Sequence, residues 1–319
     1  TDGTAINQAT IDWQGDIQMT PGEKGPSIKA DGKLATNETD LSLPASGIKL
    51  LQQALSWEGK VDYAPGEPAL VHASGALQAD GTNLDLAPQN MAITSDRIAW
   101  AGDIALDPAA EGMPEQSELP LKVVGKLDGT GILVRDTALA KALAKVGEFA
   151  LNDVAITGLN DIRSASVSVS DISALERAEG AIRFDKYPYI SALKNVSLER
   201  VALTNQNRLD LGNATISGID ALLYRGPKEP GWEAAQWFGP GGEETAEKQA
   251  PATPTETEPT QTAKPAFQFA LNSAKIVDSQ LKIDDLSVSP AFETDLSNLR
   301  VTLADMDSAK PGQGSALDI

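Results

Sequence analysis

The chain reads as an all-β protein with minor α content, an elongated sheet of antiparallel repeats with one apolar face. Three observations predict it. Trp13, Trp57 and Trp100 sit in the matching segments TIDWQGDI, ALSWEGKV and RIAWAGDI, 44 and 43 residues apart. Each Trp is followed two places on by Gly (Gly15, Gly59, Gly102) and four places on by Ile17, Val61 or Ile104. A second echo follows in each unit: IKADGKL at 28–34, VHASGAL at 71–77 and LKVVGKL at 121–127. Repetition at this period marks an architecture that grows by stacking units rather than around one compact core.

Inside each unit the apolar residues alternate. Ile11, Trp13, Gly15 and Ile17 oppose Asp12, Gln14 and Asp16; Leu55, Trp57, Gly59 and Val61 oppose Ser56, Glu58 and Lys60; Ile98, Trp100, Gly102 and Ile104 form the third set. The echoes place Ile28 with Leu34, Val71 with Leu77, and Leu121 with Val123 and Leu127. A period of two is that of a strand with one apolar and one wet face. A third short strand closes each unit (Leu41 with Leu43, Leu84 with Leu86, Ile132 with Val134), and the Gly/Pro-rich connections at 21–26, 64–68 and 106–120 suit antiparallel hairpins. Glycine recurs at the same inward place in six strands, which leaves gaps in the side-chain layer and permits bending or close approach.

This organisation divides the chain into four parts. Residues 1–135 hold the three Trp-Gly repeats. Residues 136–225 hold a second repeat pair, ALNDVAITG at 150–158 and SLERVALTN at 197–205, offset by 47 residues. DTALAKALAKVG at 136–147 is expected to be a short helix, capped by Asp136 or Thr137 and ended by Gly147. Residues 226–265 break the pattern with an aromatic loop and a Pro/Thr/Glu-rich stretch expected to be disordered. Trp232, Trp237 and Phe238 there form the densest aromatic cluster. They read either as rings tucked onto the sheet or as an interfacial anchor or plug over an apolar groove. Residues 266–319 form a last β-unit that looks truncated.

Bulk composition excludes several classes. The formal net charge is −19, which repels nucleic-acid phosphates and anionic headgroups. There is no cysteine, so neither a disulfide framework nor a thiolate site. No apolar run is long enough to span a bilayer and no signal peptide is visible. The chain reads as a piece whose targeting segment lies upstream. His72, the single histidine, falls on the wet face with no nucleophile beside it. The acidic pairs Asp284-Asp285 and Asp305 with Asp307 lack the spacing and glycine of a calcium loop and suit strand-end turns. No catalytic residue, metal ligand or cofactor is assigned. Paired carboxylates of a hydrolase are a matter of spatial separation, and nothing in the pattern points to them.

The segment FQFALNSAKIVDSQLKIDDLSVSPAFETDLSNLRVTLADMDS at 267–308 carries a resemblance. A strand ends at Asp284-Asp285, Ser289-Pro290-Ala291-Phe292 turns, and a strand spaced by Leu296, Leu299, Val301 and Leu303 returns. This resembles the unit of AsmA-like bacterial envelope proteins, in particular the group with an AsmA-related domain of unknown function. The Trp-Gly repeats are similar in style, and the motifs are those of a scaffold. The resemblance implies a long, twisted, U-shaped β-groove with an apolar interior, open along one side, in a periplasmic protein held at the inner membrane by a segment absent here. It also implies phospholipid acyl chains as partners, a part in moving phospholipid between the membranes, and outer-membrane integrity. The expected lining is Ile11, Trp13, Ile17, Ile28, Leu34, Leu55, Trp57, Val61, Val71, Leu77, Ile98, Trp100, Ile104, Leu121, Val123 and Leu127. The same residues would serve equally as a core layer. A rival reading is a β-repeat scaffold that bridges other envelope proteins through its edges and carries no lipid.

Overall fold

The computed structural model describes residues 4–66, 69–107, 120–158, 160–177, 186–228, 231–237, 267–310 and 315–318. Among these, fourteen strands make one sheet and no α-helix occurs. The first six strands are β1 (Ala5–Thr20), β2 (Ser27–Leu43), β3 (Ile48–Ala64), β4 (Leu70–Leu86), β5 (Met91–Leu106) and β6 (Leu121–Asp136). The next five are β7 (Lys141–Thr157), β8 (Asp161–Glu176), β9 (Tyr189–Thr204), β10 (Arg208–Ser217) and β11 (Asp220–Arg225). The last are β12 (Gln268–Asp285), β13 (Phe292–Asp307) and β14 (Ala316–Asp318). Neighbours in sequence are neighbours in space from β1 to β10, and pairing crosses from the Trp-Gly repeats into the second family without a break at β6–β7.

Each Trp-Gly unit is two long strands rather than three short ones. Leu41 and Leu43 belong to β2, Leu84 and Leu86 to β4, and Ile132 and Val134 to β6. The apolar residues change parity within a strand: 55 to 63 are odd in β3, whereas Ile48 and Leu50 are even. The change falls on one line across the sheet, marked by left-handed residues in the even-numbered strands: Glu38 (φ 54°), Gly81 (65°), Gly131 (64°) and Asp171 (52°). A one-residue offset moves side chains to the opposite face, so a left-handed residue at this level returns the apolar set to its original side.

Carbonyls at that line are satisfied by side chains. Gln52 Nε2 donates to Ala54 O (2.9 Å) and Asp80 O (2.6 Å), and Thr82 Oγ1 donates to Gln52 Oε1 (2.7 Å). Gln8 repeats the arrangement with Thr10 O, Asn37 O and Thr39. A second line follows at Asp153, Arg200 and Asp305 (φ 50°, 53° and 57°), where Ser164 Oγ donates to either Asn152 O or Ser166 O, each at 2.8 Å. Gln52 and Ser164 are accordingly buried although polar.

The expected helix at 136–147 is not formed. Asp136 ends β6, residues 137–140 turn, and Lys141 opens β7. Asp136 does cap, but as a turn residue: its Oδ1 accepts the Leu139 N–H at 2.8 Å. The segment stands where Pro44–Ser46 with Gly47 and Ala87–Gln89 with Asn90 turn in the earlier repeats, and Thr137 N–H donates to Asn90 O. Cross-strand pairing of Lys141–Thr157 with β6 and β8 overrides the helix preference of Ala, Leu and Lys. Ala140 holds φ 55° at the place of Gly47 (62°) and Asn90 (50°). Ala140→Gly is therefore expected to raise stability by about 1 kcal/mol, read from urea unfolding.

The other departure is a parallel pairing. β10 and β11, joined at Gly218, both run parallel to β12. The chain leaves at Arg225 and re-enters at Gln268, which pairs with Arg208 at the far end of β10. Close burial is concentrated near the exit: Leu222 is 1% and Ile190 5% exposed. The 3-10 turn Glu233–Trp237 contacts β11, and Arg177 ties it there.

Candidate functional site

Strand register places the apolar residues in rows that run across the strands. Cross-strand partners share a face, so a row is followed by pairing alone. One row is Ile17–Ala30–Val61–Ala73–Ile104–Val123, continued by Ile156–Ile162–Leu203–Leu209–Phe269. It spans eleven strands without a polar residue, roughly 50 Å at the usual strand spacing. A second runs Trp13–Leu34–Trp57–Leu77–Trp100–Leu127 and continues through Leu151, Val167, Leu198, Ala214, Ala274 and Leu303. Ile11, Leu55 and Ile98 lie in a third, Ile28, Val71 and Leu121 in a fourth. All sixteen residues singled out in the sequence thus share one face. The second family and β12–β13 extend the same rows; only their alternation hinted at this, because row membership depends on register.

Between the first two rows lie six glycines in continuous register: Gly15–Gly32–Gly59–Gly75–Gly102–Gly125. They serve close approach. At Gly59 (φ 157°) a Cβ would overlap Ser74 O and stand 2.7 Å from Gly75 Cα. The space above is partly occupied by the indoles: a Cβ on Gly32 would lie 3.0 Å from Trp13 Cζ2, and one on Gly125 would lie 2.8 Å from Trp100 Cη2. Trp13 and Trp100 thus recur with glycine because their indoles lie against the glycine of the next strand. Trp13 Nε1 donates to Gly15 O at 3.3 Å, whereas the buried Trp100 Nε1 has no partner among the described residues.

The apolar face is shielded only in part. Ile104 and Ile162 are 37% and 38% exposed within the sheet, and Val123 is among the few buried apolar residues. The opposite face carries ion pairs between β2 and β3: Lys33–Glu58 (2.8 Å), Lys60–Asp31 (3.3 Å) and Lys29–Asp62 (3.7 Å). All are exposed and contribute little to stability. Exposed His72 lies there too, 3.9 Å from Asp103. Two hollows also open, one of 380 Å³ lined by Ala35, Ala76, Ala99 and Ala101 as well as Lys33 and Glu58, another of 480 Å³ beside Arg97, Glu148 and Ser170.

Asp285 and Asp307 act as turn residues, whereas Asp284 is 1% exposed inside β12 with Lys282 Nζ at 3.7 Å and Asp305 lies inside β13. The Asp285 carboxyl is held below the ordinary range chiefly by the Ser287 hydroxyl at 2.6 Å, Asp307 by the Ala309 N–H at 2.9 Å. Among the described residues no three His, Asp or Glu side chains group as a metal would require. Trp232 is described and 37% exposed, at the edge of the turn that Arg177 ties down. The Trp237 side chain and Phe238 lie outside the described residues. No helix among the described residues is long and apolar enough to cross a membrane.

The chain matches no family model, no curated protein and no solved structure.

Proposed function

We propose that this chain is a non-enzymatic lipid-binding surface, a β-sheet conduit whose continuous apolar rows hold phospholipid acyl chains while the headgroups stay in water. The observation that carries the reading is the eleven-strand row from Ile17 to Phe269, apolar at every position, exposed at Ile17, Ile104 and Ile162 and buried only at Val123. A contiguous exposed apolar surface marks a site of interaction. A one-layer sheet must cover such a face with something. An acyl chain suits it, because apolar burial is non-directional and worth about 0.8 kcal/mol per CH₂. A track of several rows, each longer than an acyl chain, accepts lipid at many equivalent positions, as a conduit requires. The resemblance of residues 267–308 to AsmA-like envelope proteins supports a periplasmic setting for this activity. There it would contribute to phospholipid transport between the membranes, from a parent anchored outside this chain. Curling of the sheet into a U-shaped groove belongs to the same proposal.

The test is mass spectrometry of an organic extract of gently purified protein beside a charged variant. Ile104→Glu with Ile162→Glu suits the variant, since both residues are already more than a third exposed. Phospholipid in the wild type, and at least about tenfold less in a variant of unchanged circular dichroism and Tm, is the expected result. Lipid retained by the folded variant, or none in the wild type, overturns it.

A further inference from the structure

We propose that β1 is a docking edge for one further antiparallel strand, of the glycine–x–leucine type found in β2, β4 and β6, with its leucine facing Trp13 and its glycine facing Gly15. This does not depend on lipid binding. Among the described residues β1 pairs with β2 alone. Yet its sequence is that of an inner strand: Trp13, Gly15 and Gln8 occupy the places of Trp57, Gly59 and Gln52. The edge is protected by charge only at Asp12 and Asp16. Ala5–Thr20 contains no proline and no Lys or Arg, and its sixteen residues are unbroken.

Exposure reports the missing neighbour. Ile17 is 61% exposed, whereas Ile104 at the same level of β5 is 37%. Ile6, Ile11 and Met19 are 69%, 67% and 61% exposed. The interfaces already in the chain define what fits. The close glycine contacts lie within a unit, Gly15 on Gly32 and Gly59 on Gly75, so the free side of β1 corresponds to the side of β3 that meets β2 and the side of β5 that meets β4. There Leu34 faces Trp57 and Leu77 faces Trp100, with glycine opposite glycine.

The backbone is oriented to match. In β5, Asp107 donates its N–H to Pro120 O beside β6, so by alternation the Trp100 and Gly102 amides face β4. The equivalent Trp13, Gly15 and Ile17 amides face the free edge. Charge selects further. Asp16 stands directly opposite Asp31, which is paired to Lys60 on its other side, while Asp103 at the matching level of β5 has His72 within 3.9 Å. A basic residue on the incoming strand beside Asp16 would relieve this like-charge contact. The partner is thus an alternating apolar strand with glycine at the centre and a cation next to it, added by β-augmentation.

The experiment uses the full chain and a synthetic peptide of residues 70–86, the strand that meets β5, carrying Ser74→Lys to face Asp16. Amide hydrogen exchange is measured with and without it. Exchange at Trp13, Gly15 and Ile17 is expected to slow by at least about tenfold, and the same peptide with Gly75→Val is expected to leave it unchanged. Unchanged exchange with both peptides overturns the proposal. So does protection confined to β13 and β14, equal protection by the Gly75→Val peptide, or concentration-dependent protection of β1 without peptide, which would assign the edge to a second copy of the chain.

Discussion

Gly59→Val is expected to abolish cooperative folding of the Trp-Gly repeats. The substitution adds a β-branched side chain at φ 157°, where its Cβ overlaps Ser74 O and stands 2.7 Å from Gly75 Cα. Both obstacles are backbone, so no rotamer relieves them, and Gly59 pairs with Gly32 on one side and Gly75 on the other. Parting β3 from β4 interrupts every row at once. The loss is expected to exceed about 4 kcal/mol, in the range where single substitutions act by backbone strain and overpacking. Urea unfolding followed by tryptophan fluorescence reads it directly, because Trp57 lies two residues away. Gly231→Ala is the control: nothing lies within 4 Å of its Cβ position, and stability should not change. A Gly59→Val protein as stable as the wild type would show that the strands do not approach as closely as described.

Arg177→Met is expected to cost about 3–5 kcal/mol, the range for removing one partner of a buried ion pair. The Arg177 side chain is 2% exposed. Its Nε donates to Glu233 Oε2 at 2.8 Å, one terminal nitrogen donates to Tyr187 O and Tyr189 O at 2.9 and 2.7 Å, and the other donates to Leu222 O at 2.6 Å. Methionine of similar length leaves a carboxylate and three carbonyls facing an apolar tip. Lysine does not restore the site, since one ammonium cannot reproduce a planar fork aimed at four oxygens. Limited proteolysis supplies a second readout: with Arg177 gone, Glu233 loses its tie to the sheet, and cleavage near residues 231–237 should accelerate. Wild-type stability together with wild-type proteolysis would remove Arg177 from the account.

The two residues differ in how far the sequence announces them. Gly59 is visible, because glycine recurs with tryptophan at a fixed distance in three units. What the pattern does not convey is that the six glycines touch in pairs within each unit, since alternation gives a face and says nothing of the distance between neighbouring strands. Arg177 is invisible. It lies outside both repeat families, and its partners at 187, 189, 222 and 233 are brought together by the ends of three strands and a turn. Gln52 falls between: a polar residue on an apolar side, next to a change of parity, is a readable sign of a bend once the parity is followed along each strand. The helix expected at 136–147 shows the same limit from the other side. Local preference for helix was real, but the repeat period already placed a turn at that point, and pairing with β6 and β8 decides the outcome.

The sequence by itself determined that this is a β-protein of stacked units, with tryptophan, glycine and aliphatic residues on one face and charges on the other. Those are local properties, written with a period of two along each strand and about 44 residues between units. The tertiary structure alone decided that both families and the 267–308 unit share one sheet and one set of rows. It also decided that β12 returns parallel to β10, that the Trp13 and Trp100 indoles lie against glycines, and that among the described residues β1 pairs on one side only. Each of these depends on which residues of distant strands stand opposite one another, and a residue carries no record of its partner until the backbone pairs.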